Sequence, residues 1–120
     1  MLDSEQIVFI RKQMRKDKIN VNTIDFFLNL LDKFEVTDEI SSTSDKLARN
    51  FGRSDRSIQR YVKSLKERNY IFVKPIWNNN DPDKPYITRN IYRLTPKSRQ
   101  LIEKSIHRLD IEKDIFGVNY

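Results

Sequence analysis

Between Ser42 and Asn69 the chain carries two sets of helix start and stop signals separated by a very short turn. Ser42 or Thr43 caps a segment in which Leu47, Ala48 and Phe51 fall at helical spacing, and Gly52 ends it by supplying the left-handed conformation a helix C-terminus favours. Ser54 then caps a second segment, with Ile58, Val62 and Leu65 along one face and Asn69, another residue tolerant of left-handed backbone, at its end. Two helices joined this tightly must approach closely. The small side chain of Ala48 permits that approach, and Ile58 buries the inner face of the second helix against the first.

The flanking sequence supplies the rest of one α+β domain spanning residues 1–120. Residues 4–20 combine the β-branched and aromatic cluster Ile7, Val8, Phe9 and Ile10 with a basic run, and their pattern is compatible with a strand or the start of a helix. Asn22 reads as an N-cap for a helix over 23–35, with Ile24, Phe27, Leu28, Leu31 and Phe34 at helical spacing. Residues 36–42 read as a connection with a short strand in which Ile40 is the core candidate. A hairpin follows: an apolar run from Tyr70 to Trp77, a dense turn cluster from Asn78 to Pro85, and a return strand over 90–94. Thr95-Pro96 supplies a cap and a first-turn proline for a last helix over 96–113, with Ile102, Ile106 and Leu109 as its apolar stripe.

Several kinds of chemistry are poorly supplied. The chain has no cysteine, two glycines and one histidine, His107, so thiolate metal sites, disulfides and glycine-rich phosphate loops have no material. Its acids are dispersed, and Asp81 and Asp83 around Pro82 fall short of an oxygen cage. The expectation is a protein that is not an enzyme and takes no cofactor or metal. No apolar run approaches a membrane span and no secretory signal is read at Met1–Glu5, so the expected location is the cytoplasm.

Charge is concentrated in the middle of the chain. The net charge is +6, but residues 41–99 hold 14 Lys and Arg against 5 Asp and Glu, while both flanks are mildly acidic. A basic centre of this kind is the footprint of a surface that meets a polyanion.

Leu47, Ala48, Phe51, Gly52, Ile58 and Tyr61 occupy the apolar, small, apolar, glycine, apolar and apolar positions of a helix-turn-helix over residues 43–68. Arg53, just after the glycine, departs from the usual apolar residue and brings a cation to the turn. With Ile58, Val62 and Leu65 inward, Asp55, Arg56, Gln59, Arg60 and Lys63 face outward. Arginine can bridge guanine O6 and N7, glutamine can pair with adenine N6 and N7, and Ser54 and Ser57 suit phosphate or base contacts.

The stretch from Thr43 to Tyr61 resembles the winged helix-turn-helix of the N-terminal domains of plasmid and phage replication initiators and replisome organisers. Tyr92 to Glu103 is similar to the exit from the wing in bacterial winged-helix regulators, including the MarR superfamily. These resemblances imply a three-helix core, a β-hairpin wing over 70–94 and an extra C-terminal helix. They also imply a duplex DNA interface made by Thr43, Ser44, Lys46, Arg53, Ser54, Asp55, Arg56, Ser57, Gln59, Arg60 and Lys63. Lys84 and Arg89, in a wing tip spanning 78–89, would lie beside the backbone or minor groove.

The expected function is sequence-specific binding of double-stranded DNA as a plasmid- or phage-type accessory factor in replication, partition or DNA transfer, with other proteins of such a complex as further partners. The alternatives are a MarR-like transcriptional repressor and a winged-helix protein-interaction module. The apolar surplus at both ends, Ile7 to Ile10 and then Ile102, Ile106, Leu109, Ile111, Ile115 and Phe116, leads to the expectation of a homodimer.

Overall fold

The computed structural model describes residues 2–81 and 83–117, with side chains through residue 107. Its first element is a helix, α1 (Ser4–Lys16), which resolves the open reading of residues 4–20. A capping box decides it: Asp3 accepts from the Gln6 amide at 2.9 Å, and the Gln6 side chain accepts from the Asp3 amide at 3.2 Å. Gln6, Ile10 and Met14, one turn apart, form the buried face. Ile10 therefore belongs to the core of this chain, with Ile7 and Phe9 half-buried. Much of the N-terminal apolar surplus expected at a dimer interface is thus used internally.

The next helix, α2 (Val21–Phe34), begins two residues earlier than its sequence signal indicates. Asn20, not Asn22, is the cap, accepting from the Thr23 amide at 2.9 Å. This helix runs through the middle of the core, burying Thr23, Ile24, Phe26, Phe27, Leu30 and Leu31, while Leu28 and Phe34 are half-buried.

Helices α3 (Ser44–Phe51) and α4 (Asp55–Glu67) follow the expected boundaries closely. Thr43 caps α3 and Ser54 caps α4 through the amides of Lys46 and Ser57, each at 3.1 Å. Gly52 sits at φ 75° and Asn69 at φ 63°, the left-handed positions anticipated for them. Three rings lock these helices to α2: Phe26 lies 5.5 Å from Phe51 and 5.7 Å from Tyr61, centroid to centroid. Phe51 and Tyr61 meet edge to face at 6.4 Å, so all three rings share one contact at the centre of the helix-turn-helix.

Three strands, β1 (Ile40–Ser42), β2 (Ile71–Asn78) and β3 (Tyr86–Leu94), form an antiparallel sheet in the order β1-β3-β2. Ile40 pairs with Tyr92, which is completely buried. Pro75 is tolerated because β2 is an edge strand, where a missing N–H need not break a ladder. The return strand starts at Tyr86, so Arg89 lies within β3 opposite Ile76 and not in the tip. Cross-strand pairing carries the strand over residues 86–89, which the expected tip of 78–89 includes.

The last helix, α5 (Pro96–Gly117), is capped by Thr95, which accepts from the Ser98 amide at 3.2 Å. It passes residue 113, and its inward face differs from the expected apolar stripe. Ser98 and Ser105 are buried and Leu101 and Ile102 half-buried, whereas Ile106 is exposed. Small serines let α1 approach α5 closely, and Gln6 donates to Ser105 across that contact at 3.3 Å. The side chains of Leu109, Ile111, Ile115 and Phe116, also expected at a dimer interface, lie outside the described residues.

One node ties the ends of four elements together. Asp17, just after α1, accepts from Tyr70 Oη at 2.8 Å and from Lys97 Nζ at 2.9 Å, and lies 3.8 Å from Arg68. The Lys97 ammonium also donates to the Arg68 carbonyl and sits 4.2 Å over the Tyr70 ring. Ser98 Oγ donates to the Tyr70 carbonyl at 2.6 Å and Thr95 Oγ1 to that of Asn69 at 2.7 Å. The exit of α4 is thereby clamped to α1 and α5. No helix among the described residues is long and apolar enough to cross a membrane.

Candidate nucleic-acid interface

The outward face of α4 is built by the residues that hold its inward face. Ile58, Tyr61 and Leu65 are buried, and helical geometry then turns Asp55, Arg56, Gln59, Arg60 and Lys63 to solvent, where all five are exposed. Arg53 and Ser54, immediately before the helix, are exposed as well.

Several other cations of the basic segment are committed to carboxylates. Arg49 pairs with Asp45 at 3.0 Å, Arg68 and Lys97 with Asp17, and Arg93 with Glu39. Arg53, Arg56 and Arg60 have no carboxylate partner among the described residues, and Lys63 has only Glu67 at 4.0 Å. Two guanidinium groups thus stand on the N-terminal half of α4 and a third, Arg53, just before it, at the end whose free amides and dipole already favour an anion.

Not every expected contact residue is equally available. The Thr43 hydroxyl is occupied in capping α3. Ser44 is half-buried in the first turn of α3. Ser54 Oγ donates to Ser57 Oγ at 2.9 Å, so these two hydroxyls serve the start of α4. Gln59 donates one side-chain amide hydrogen to Asp55 at 3.0 Å, which leaves the Gln59 oxygen and the second amide hydrogen open. Lys46 is exposed on α3.

The hairpin forms a second projection. Its tip is ordered by asparagine and aspartate turns: the Asn80 amide donates to Asn78 Oδ1 at 2.9 Å and the Asp83 amide to Asp81 Oδ1 at 3.1 Å. Lys84 lies in this tip, exposed, beside two aspartates. Arg89 is exposed on β3. Lys74, exposed on the edge strand β2, is a further cation that the sequence reading did not single out, although the alternation of the strand would have placed it outward. Among the described residues no group of three or more His, Asp or Glu side chains is disposed to hold a metal ion.

No protein-family model and no curated protein sequence matches the chain. Among solved structures it is similar to a transcriptional regulator from Thermotoga maritima, at 22% identity over 92% of this chain and 72% of that one, with a TM-score of 0.56. A looser likeness, at 19% identity over 82% of this chain and 80% of the other, with a TM-score of 0.46, is to a possible transcriptional regulator from Methanosarcina mazei. The helices α2, α3 and α4, the three-stranded sheet and the β2–β3 hairpin, taken with the first of these likenesses, give the chain the winged helix-turn-helix fold.

Proposed function

We propose that the chain is a sequence-specific double-stranded DNA-binding protein that regulates transcription, with α4 in the major groove and the β2–β3 hairpin as a wing on the backbone or minor groove. The observation that carries this reading is the set of three exposed arginines, Arg53 just before α4 and Arg56 and Arg60 on it, without carboxylate partners among the described residues. A winged helix used only to bind proteins has no need to leave such a cluster uncompensated. The transcriptional reading is preferred to a replication, partition or transfer role because the structural neighbour that carries the fold is itself a transcriptional regulator. Arg56, Arg60 and Gln59 are the proposed base readers. Arg53, Ser54, Lys46, Lys63, Lys84 and Arg89 are proposed at phosphates, while Thr43, Ser44, Asp55 and Ser57 orient the contact surface.

A homodimer remains part of the proposal. Exposed Val8 on α1 and Ile106 on α5, two helices packed side by side, support an apolar outer face there. One module offers on the order of 600–1,000 Å² to DNA, and pairing two is the usual route to reading repeated half-sites. Selection of bound duplexes from a random pool tests the functional reading. A single inverted repeat is the expected result, tandem repeats would redirect it to an origin or centromere, and no enrichment would overturn it. Sedimentation without DNA tests the dimer, which a species near 14.5 kDa would exclude.

A further inference from the structure

The wing carries a feature that cationic contacts do not explain. β2 and β3 pair in one register from Ile71–Leu94 to Ile76–Arg89, and then slip by one residue, so that Trp77 faces Ile87 and Asn78 faces Tyr86. Thr88 is the extra residue, with its hydroxyl donating to the Ile76 carbonyl at 3.0 Å. In the unshifted register Ile87 would share the outward face with Arg89, Ile91 and Arg93. The bulge turns it onto the face of Trp77, which continues that of Ile71 and Val73. Behind the bulge this face covers the helices. Beyond it, Trp77 and Ile87 are left 51% and 47% exposed, while Tyr86, 57% exposed, lies opposite Asn78 on the other face.

A bulge that brings the only tryptophan and an isoleucine together where none of the described residues fully covers them leaves an apolar pair in want of an occupant. The surrounding charge indicates which. On the opposite face of the same ribbon, Lys74 and Arg89 are exposed, each without a carboxylate partner among the described residues. At the tip, Asp81 and Asp83 outnumber Lys84, so attraction to phosphate at the leading edge is weak. The ribbon has an apolar face at Trp77 and Ile87 and an opposite face on which Lys74 and Arg89 stand with Phe72 and Tyr86, and with little charge at its tip it suits a groove whose rims are phosphate and whose walls are deoxyribose.

We propose that Trp77 and Ile87, paired across the wing by the bulge at Thr88, form an apolar contact with the sugar wall of the DNA minor groove while Lys74 and Arg89 reach phosphates from the other face. The inference rests on the DNA-binding reading above. Side chains of this kind act against duplex DNA by displacing water from sugar edges or wedging toward a base step, most readily at flexible pyrimidine–purine steps.

Because Trp77 is the only tryptophan, its emission reports on this site alone. The full chain is titrated with a fluorescein-labelled selected duplex, recording label anisotropy and, in a parallel unlabelled titration, tryptophan emission and its quenching by iodide. The expected result is that emission shifts and becomes protected from iodide over the range in which anisotropy rises. Trp77→Ala should weaken binding roughly tenfold while leaving the slope of log K against log salt unchanged, since no phosphate contact is lost. Trp77→Phe should recover most of that affinity, and matched circular dichroism melts establish that both variants fold. Rising anisotropy with an unshifted, fully quenchable Trp77 overturns the wing contact and leaves the DNA reading intact. A shift that follows protein concentration without DNA would assign this face to a second copy, and one seen with single strands but not duplex would also overturn the proposal. Absence of any anisotropy change removes the DNA reading and this contact with it.

Discussion

Gln59 donates its side-chain amide to the carboxylate of Asp55 at 3.0 Å, one turn back along the exposed face of α4. The bond holds a negative charge on the face proposed to meet DNA and fixes the orientation of the Gln59 amide toward a base. Asp55→Asn is expected to raise affinity for all duplexes about fivefold, the equivalent of roughly 1 kcal/mol for one unit charge pair at contact in water. It should also loosen discrimination at the base Gln59 reads. Anisotropy titrations against the selected duplex and a scrambled one check both effects, and lower affinity for both would remove Asp55 from the interface.

Arg56→Ala and Arg60→Ala are expected to reduce specific binding by roughly 1–3 kcal/mol each while affecting random duplex less. Lys84→Ala and Arg89→Ala should weaken every sequence alike and lower the salt slope by about 1 for each phosphate contact removed. Titrations at several salt concentrations separate the two groups. Equal loss on specific and random DNA in all four variants would mean that α4 is not the reader.

The node at Asp17 makes a prediction about acid stability. The Lys97 ammonium, hydrogen-bonded to its carboxylate, holds the Asp17 carboxyl below its ordinary value of 3.8, with Tyr70 and Arg68 acting in the same direction and burial opposing them. A carboxyl depressed in the folded state contributes stability that is present above its unfolded value and lost as pH falls through its folded one. Asp17→Asn should therefore cost about 1 kcal/mol at neutral pH, a modest figure because the group is partly exposed and screened. The difference from wild type should shrink as pH falls below 3.8 and disappear once the folded-state carboxyl is itself protonated. Urea denaturation at neutral and acid pH measures it, and a penalty that stays constant with pH would point to packing instead of charge.

Gly52→Ala isolates backbone strain. A Cβ added at Gly52 meets nothing within 4 Å, yet its φ of 75° is one that L side chains rarely adopt. The substitution should destabilise the fold by about 1 kcal/mol through conformation alone. Thermal melts check this, and an unchanged melting temperature would mean that the turn relaxes freely.

The sequence by itself determined the parts of this protein that depend on a few adjacent residues. Thr43 and Ser54 cap their helices three residues ahead, Gly52 and Asn69 take left-handed backbone where predicted, and the spacing of Ile58, Val62 and Leu65, the first and last buried and Val62 half-buried, sets which side of α4 faces solvent. Most candidate contact residues on α4 were legible for that reason. The tertiary structure alone decided whatever joins distant parts of the chain. Asp17 meets Lys97 across 80 positions, and such pairings separate cations already committed to carboxylates from the unpartnered Arg53, Arg56 and Arg60. The bulge that brings Ile87 beside Trp77 depends on strand pairing, and the buried serines of α5 depend on the approach of α1. Local propensity carries no record of either, because register and close packing are set by the partner surface and not by the segment itself.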